Sequence, residues 1–600
     1  MAVSKVVLNG TTLIDITDTT AEASDVAQSE IFYGADGVRT SGTSTGGGGG
    51  SGIDELLECT ISGSIYNSNI TQVKSYFFDG CSEITYADFP AATRVGSFAF
   101  RNCYSLSSVN IPNLDFIDYS AFNNCTSLMS VSFPVLTTAY QYAFSSCHSL
   151  QTAYMPELSN NGLSQFMFCN CYLLQEADFP KCVNIPQNVF FNCSSLSTVN
   201  IPSAKYIGTS AFANCISLTS VDFPVASYVG NSGFILCTSL QTANLPSVTK
   251  VSAYAFYGCY NLSSLVLSTN LLNVSSYAFG KCSSLTSIRF PNLTSISAHA
   301  FASCTSLSFA SIPNVSISNS STASYIFESC TSLTDVTMPL NIIPQGAFAG
   351  CTNLSSISFS STTEIHNYAF MECGFTEVEL PLISMLNLAA FQSNYSLSRV
   401  IMPNVTTISG NAFYNCYSLT DIQAPKVNYI STHAFMSCSS LSYISFPLVT
   451  SLGAYAFASC SSLVDVSLPL LTSIGNSAFA NCTNLANIDL TNVQNIGSSA
   501  FNMCLSLRTI RMQNISNIGS YAFSNCHSLE SVYILCNSVP QCGPNIFNYT
   551  PLTNSTYLGY YGSIYVKASL LASFQTATNI STYGNRMVGL TDEEIAALEN

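Results

Sequence analysis

Apolar positions return along most of this chain with a period near 22 residues, far longer than the period of a strand or a helix. The order A-F-x-x-C-x-S-L-x-x-V-x-F-P-x-L-x-x-I reads from Phe100 to Pro112 as FRNCYSLSSVNIP, from Phe212 to Pro224 as FANCISLTSVDFP, and from Phe457 to Pro469 as FASCSSLVDVSLP. Between Cys81 and Cys526, Phe stands three residues before an anchor position in about 21 units, and the anchor is Cys in all but one, where Asn394 replaces it. Within each unit, S-L-x-x-V-x-F alternates apolar and polar residues, which predicts a short strand with Leu, Val and Phe or Ile turned inward. The proline that follows has no N–H and ends the strand, and the A-F step returns the chain on the outer side, with Phe packed between coils. One unit cannot cover its own apolar face, so stacked coils must close a shared core.

Composition agrees. The chain is 47% hydrophobic and 8% charged, which allows a large core and argues against disorder. Acids outnumber bases 32 to 16, a balance that repels phosphate backbones and argues against nucleic acid as a partner. There is no run of 18 apolar residues, hence no predicted membrane span. The first residues, MAVSKVVLNGTTLIDITD, show neither a secretory apolar region nor a small-residue cleavage site. The expectation from the sequence is a chain assembled in the cytoplasm.

The 25 cysteines admit three readings. Metal binding wants paired thiols or a histidine partner, and one thiol per coil supplies neither. Disulfides between adjacent coils are geometrically conceivable. The favoured reading is structural: buried thiols act as small apolar residues at the turn. Asn394 supports it, because Asn can fill the same turn by hydrogen-bonding the backbone but would break a disulfide pair.

The repeat resembles the BspA-like, treponemal-type leucine-rich repeat family, in which Leu, Pro, A-F and Cys recur in fixed phase over about three quarters of the chain. The pattern departs where Ser268, Ser360, Thr491 and Gln513 stand at the proline position, and the step from Cys304 to Cys330 is four residues longer than the common period. The resemblance implies a right-handed leucine-rich-repeat β-solenoid, with a parallel sheet on the concave face. The convex side is expected to be irregular or built of short strands and 3-10 turns, with little α-helix.

The ends differ from the body. Residues 1–45, with V-V-L-N-G-T-T-L-I-D-I-T-D-T-T and G-A-D-G-V-R-T-S-G-T, read as short strands and turns around a small helical stretch. They resemble N-terminal modules of phage tail-associated proteins of gut bacteria. That resemblance implies attachment to phage tail proteins through 1–45. Residues 46–52 are a Gly-rich tether. Residues 53–540 form the expected solenoid, with Leu56, Leu57 and Ile61 covering its first coil. Residues 541–590 resemble the C-terminal cap of BspA-like chains, and 591–600 form a short helix with Thr591 as its N-cap.

Chemistry is sparse. His148, His299, His366, His433 and His527 are scattered, and no Ser–His–Asp grouping falls within one coil, so neither an enzyme nor a cofactor is expected. A polysaccharide-cleaving site needs paired carboxylates, and Glu176 with Asp178 finds nothing suitable on adjoining strands. Binding is better supported. The strand positions five and seven residues after each anchor face away from the core. They offer Tyr154, Glu176, Asp178, Asp222 and Arg289, then Asp335, Arg399, Asp421 and Tyr443. Asp465, Asp489, Arg511 and Tyr533 complete the set. Carboxylates, guanidinium groups and tyrosines among small hydroxyls suit a bacterial surface protein or polysaccharide. A solvated sheet face would also be rich in Ser and Thr for β-propensity alone. The leading expectation is a phage or prophage tail adhesin located in the virion tail, a setting that implies a homo-oligomer. The alternatives are a BspA-like cell-surface adhesin binding host matrix proteins and an intracellular scaffold.

Overall fold

The computed structural model describes residues 61–159, 162–317, 322–553 and 561–599, together with four short strands in the first 60 residues. These four form two antiparallel pairs, Lys5–Leu8 with Thr11–Asp15 and Ile31–Tyr33 with Arg39–Ser41. The expected helical stretch between them, the Gly-rich tether and the covering role of Leu56 and Leu57 lie outside the described residues.

Two compact units follow from chain contacts: 1–307 with 312–315, and 308–311 with 316–600. Each is a β-solenoid. In the first unit, strands such as Ser220–Asp222, Thr242–Leu245 and Ser264–Leu267 pair in parallel, with a register step of one coil: Val221 faces Ala243, which faces Leu265. A second parallel sheet runs beside it, built from two-residue strands. Six of these, from Asn184–Ile185 to Ser295–Ile296, form one ladder in the first unit, and eight, from Met385–Leu386 to Gln541–Cys542, form one in the second. The short strands and little helix match the sequence expectation. Among the described residues, 3-10 helix is confined to Ala568–Leu570 and Ile580–Arg586, outside the coils.

The core follows directly from the repeat. In one coil Cys103, Leu106, Ile111, Leu114, Ile117, Ala121 and Phe122 are all buried. Phe122 belongs to a stack of rings that runs from Phe78 to Phe301 in the first unit, with centroids 5.0 to 5.8 Å apart. A second stack runs from Phe327 to Phe547 in the second unit at 5.1 to 6.0 Å. Parallel rings at this spacing add about 0.5–1.5 kcal/mol each beyond their burial. Phe recurs at this position because only a flat ring fills the gap between coils and also stacks on its neighbours.

The A-F corner consists of overlapping turns. Around Phe212, Ala211 N–H donates to Gly208, Ala213 N–H to Ser210 and Cys215 N–H to Phe212, each closing a four-residue turn. The intervening amides of Ser210, Phe212 and Asn214 donate to the next coil, at Asn231, Gly233 and Ile235, across 2.8 to 2.9 Å. Two residues per corner must therefore adopt positive φ, here Ser210 at 51° and Asn214 at 61°. The same pair recurs as Tyr254 and Gly258, His299 and Ser303, and His433 and Ser437. A left-handed non-glycine residue costs about 1–2 kcal/mol, and the inter-coil hydrogen bond it permits offsets that cost.

The anchor cysteines are buried thiols that donate to the preceding coil. Cys215 Sγ lies 3.2 Å from the Phe190 carbonyl, and Cys460 Sγ lies 3.2 Å from that of Phe435. Asn394 makes the same contact, its amide donating to Phe370 O at 2.7 Å and Phe391 O at 3.0 Å. Burial raises the thiols' pKa, to about 12 at Cys304, Cys416, Cys460 and Cys526. Cys81 departs from the structural reading: it is disulfide-bonded, whereas the other described cysteines are in no disulfide.

Past Cys526 the coil register continues one step further than the repeat motif. Ile546 and Phe547 take the A-F positions, and buried Thr550 takes the anchor, its Oγ1 donating to Phe547 O at 2.7 Å. Ser563–Lys567 then pairs with Ser531–Ile534, and Met587–Leu590 adds a last parallel strand. Helix α1 (Leu571–Thr576) buries Phe574. Helix α2 (Asp592–Glu599) opens with a reciprocal cap: Thr591 N–H donates to Glu594 Oε2 at 2.8 Å, and Glu594 N–H donates to Thr591 Oγ1 at 3.3 Å.

Candidate ligand-binding face

The residues five and seven positions after each anchor stand on the longer strands, and burial there alternates outward, inward, outward, as along Ser130–Ser132 and Tyr443–Ser445. Because register advances one coil per strand, these side chains line up in two columns on the solvent face of each sheet.

In the first unit, Tyr154 stands opposite Ser132 and is 55% exposed. Glu176 faces Thr198, and Asp178 faces Asn200. The aspartates on this face are partnered by amides one coil on: Asn200 Nδ2 donates to Asp178 Oδ1 at 2.7 Å, and Asn244 Nδ2 to Asp222 Oδ1 at 2.8 Å. Asn110 does the same for Asp88 at 2.9 Å. Each pair leaves the second carboxylate oxygen for solvent or ligand. Arg289 is exposed at the end of Ser287–Arg289, away from these pairs.

The second unit carries the remaining candidates. Asp335 is exposed at the start of Asp335–Thr337. Arg399 and Asp421 were separate expectations, but adjacent strands place them opposite each other, and Arg399 Nε donates to Asp421 Oδ2 at 3.0 Å. Both side chains are nearly half exposed, so the pair adds well under 1 kcal/mol. Further along, Tyr443, Asp465 and Asn487 fall in register on three neighbouring strands. They line a depression of about 550 Å³ with Asp489, Thr509 and Arg511, over a floor of Val466, Ile488 and Leu490. Four of the expected residues thus converge: Tyr443, Asp465, Asp489 and Arg511.

Arg511 is held from two sides. Its guanidinium lies 5.1 Å from the Tyr533 ring, which stacks on Tyr565 at 4.6 Å, and its Nη1 donates to the Leu598 carbonyl in α2 at 3.0 Å. A cation at the carbonyl end of a helix is also favoured by the helix dipole. Tyr533 is consequently only partly exposed. Sequence reasoning missed Asn487 and Thr509, although both follow the same five-residue offset. Leu598 left no signal, because it meets Arg511 across 87 residues.

Among the described residues, no group of three or more His, Cys, Asp or Glu is placed to hold a metal ion, and no helix is long and apolar enough to cross a membrane. Three histidines serve local packing: His299 stacks on Tyr277 at 4.4 Å, His433 on Tyr455 at 4.9 Å and His148 on Tyr172 at 4.9 Å, while His366 Nε2 lies 3.3 Å from Glu364 Oε2.

A family model described as BspA type leucine rich repeat region matches residues 56–171, 93–219, 205–323, 320–442 and 428–554. Similar solved structures include a leucine-rich repeat protein from Bacteroides ovatus, 26% identical over 55% of this chain and 82% of that one, with a TM-score of 0.41. A leucine rich cell surface protein from Faecalibacterium prausnitzii is 20% identical over 66% of this chain and 92% of its own, with a TM-score of 0.29. The pneumococcal vaccine antigen PcpA is 16% identical over 62% and 85% of the two chains, with a TM-score of 0.25. No functionally curated protein matches.

Proposed function

The chain belongs to the BspA type leucine rich repeat family, and from that premise we propose that it is a non-enzymatic adhesin acting at a bacterial surface, with the solvent face of the long-strand sheets as its contact surface. The observation that carries this reading is the column of outward polar and aromatic side chains in the second unit, where Tyr443, Asp465, Asp489 and Arg511 converge on one depression. Repetition of weak contacts from coil to coil suits an extended macromolecular ligand, a surface protein or glycan, better than a small substrate. In this arrangement residues 1–45 attach, 46–52 tether and 541–590 close the last coil.

A phage-tail setting is a second proposal, supported by the resemblance of residues 1–45 alone; there the tail would replace the cell as the point of attachment. The surface reading comes first because it rests on the family of the whole repeat body.

The test is saturable binding of the labelled full chain to intact gut bacteria and to immobilised host matrix proteins. The double variant Asp465→Lys with Asp489→Lys should weaken binding by at least about tenfold, roughly 1.4 kcal/mol. Equal binding by this variant would remove the sheet face from the mechanism.

A further inference from the structure

We propose that the depression in the second unit is a saccharide subsite, taking an uncharged sugar unit with vicinal hydroxyls from a longer glycan. The proposal rests on the sheet face being the binding surface and adds to it a location and a ligand class.

The depression's volume of about 550 Å³ lies within the usual range of small-ligand sites, about 300–1,000 Å³. Its polar groups alternate in kind over neighbouring coils. Asp465 Oδ1 accepts from Asn487 Nδ2 at 3.4 Å, so a carboxylate and an amide stand side by side, each with bonding capacity left over. Asp489 is fixed by the Thr491 N–H, which donates to its Oδ1 at 2.9 Å, and the Thr509 hydroxyl follows on the next strand. A sugar hydroxyl donates one hydrogen bond and accepts others, so vicinal hydroxyls call for acceptors and donors a few ångströms apart. Strands about 4.7–4.9 Å apart provide that spacing. Tyr443 is 54% exposed at the rim and offers an aromatic face to the apolar C–H face of a pyranose ring.

The same lining disfavours the competing classes. Two carboxylates outweigh one guanidinium, and the Leu598 carbonyl and the Tyr533 ring already hold Arg511 in place, so the net negative lining disfavours an anionic sugar or phosphate. A peptide strand would need an open sheet edge, yet Asp465–Ser467 is paired on both sides. A protein partner would need an apolar anchor pocket, but Leu490 in the floor is fully buried and Ile488 nearly so.

The experiment uses the full chain, immobilised neutral bacterial surface polysaccharides, and the same preparations after periodate cleavage of their vicinal diols. Tyr443→Ala and Asp489→Ala alter exposed side chains, and unchanged melting would certify their fold. Binding that disappears with periodate and falls about tenfold or more in both variants is the expected result. Binding that survives periodate, or that both variants retain, overturns the subsite. If no polysaccharide binds, but cell binding is abolished by protease treatment of the cells and by the lysine double variant, the saccharide is overturned while the sheet face stands as the binding surface. Cell binding indifferent to the lysine variant overturns both.

Discussion

The side-chain amide of Asn394 donates to the carbonyl of Phe370 across 2.7 Å, taking over the hydrogen bond that a cysteine thiol makes in the neighbouring coils. The anchor position therefore selects for a small buried donor and not for sulfur chemistry. Asn394 is an imperfect fit, because its Oδ1 is buried with no hydrogen-bond partner.

That orphan oxygen gives the first prediction. Asn394→Cys should leave stability unchanged or raise it by about 1 kcal/mol, since the thiol keeps a donor and removes an unpaired buried acceptor. Asn394→Leu should cost about 2 kcal/mol or more, because the carbonyls of Phe370 and Phe391 both lose a donor. Denaturant midpoints of the two variants under reducing conditions separate these outcomes, and equal midpoints would refute the donor argument.

A second prediction concerns alkaline pH. An unfolded thiol titrates near 8.5, whereas burial holds Cys304, Cys416, Cys460 and Cys526 at about 12. Between these values the folded chain binds more protons than the unfolded one, so stability falls as pH rises. The contribution is intact below about 8.5 and declines toward 12, by up to about 1.4 kcal/mol per pH unit for each such thiol. Melting temperature should be flat from neutrality to pH 8 and drop steeply above pH 9. Thiol reagents at pH 8 should label these positions only after unfolding.

The phenylalanine stack sets a third expectation. Phe212→Ala should cost about 3–5 kcal/mol, removing a fully buried ring and two ring contacts at 5.2 and 5.3 Å. Tyr206→Ala, on the exposed side of the same coil, should change stability by no more than about 0.5 kcal/mol. Chemical denaturation monitored by circular dichroism compares them directly. Similar losses would contradict the stack as the main support of the coil.

The capped helix provides a fourth. Thr591→Ala removes the hydroxyl that accepts from the Glu594 N–H, leaving only the backbone N–H bond to Glu594 Oε2, and should destabilise α2 by about 1 kcal/mol. Hydrogen exchange at 592–598 should speed up about fivefold, while amides of the Phe479–Phe523 corners stay protected. No change at 592–598 would mean that the Arg511–Leu598 bond, not the cap, holds the helix.

The repeat, the ring stack, the thiol anchors and the outward strand positions were legible in sequence because each depends on one residue type at one offset. What escaped notice depends on neighbours. Tyr254, His299 and Leu236 have little local preference for positive φ, at 58° in each case, and adopt it because the adjoining coil's carbonyls demand an amide there. Thr550 was hidden because it supplies a buried donor, here to the Phe547 carbonyl of its own coil, without the cysteine spelling. Glu377 and Glu379 lie four and six residues after Cys373, one short of the usual offset, and Gly374 absorbs the difference without a turn signal of its own. The depression around Asp489 needed four coils in register, which no single coil encodes.

The step of one coil that relates Asp178 to Asn200, Phe190 to Phe212 and Cys215 to Phe190 has a genetic consequence. An in-frame duplication or loss of 66 nucleotides inserts or removes a whole coil whose donors and acceptors already match those above and below it. Recombination between neighbouring repeats can thus lengthen, shorten or reshuffle the outward columns without a compensating change in the core. The outward face is free to diversify while the ladder behind it stays the same.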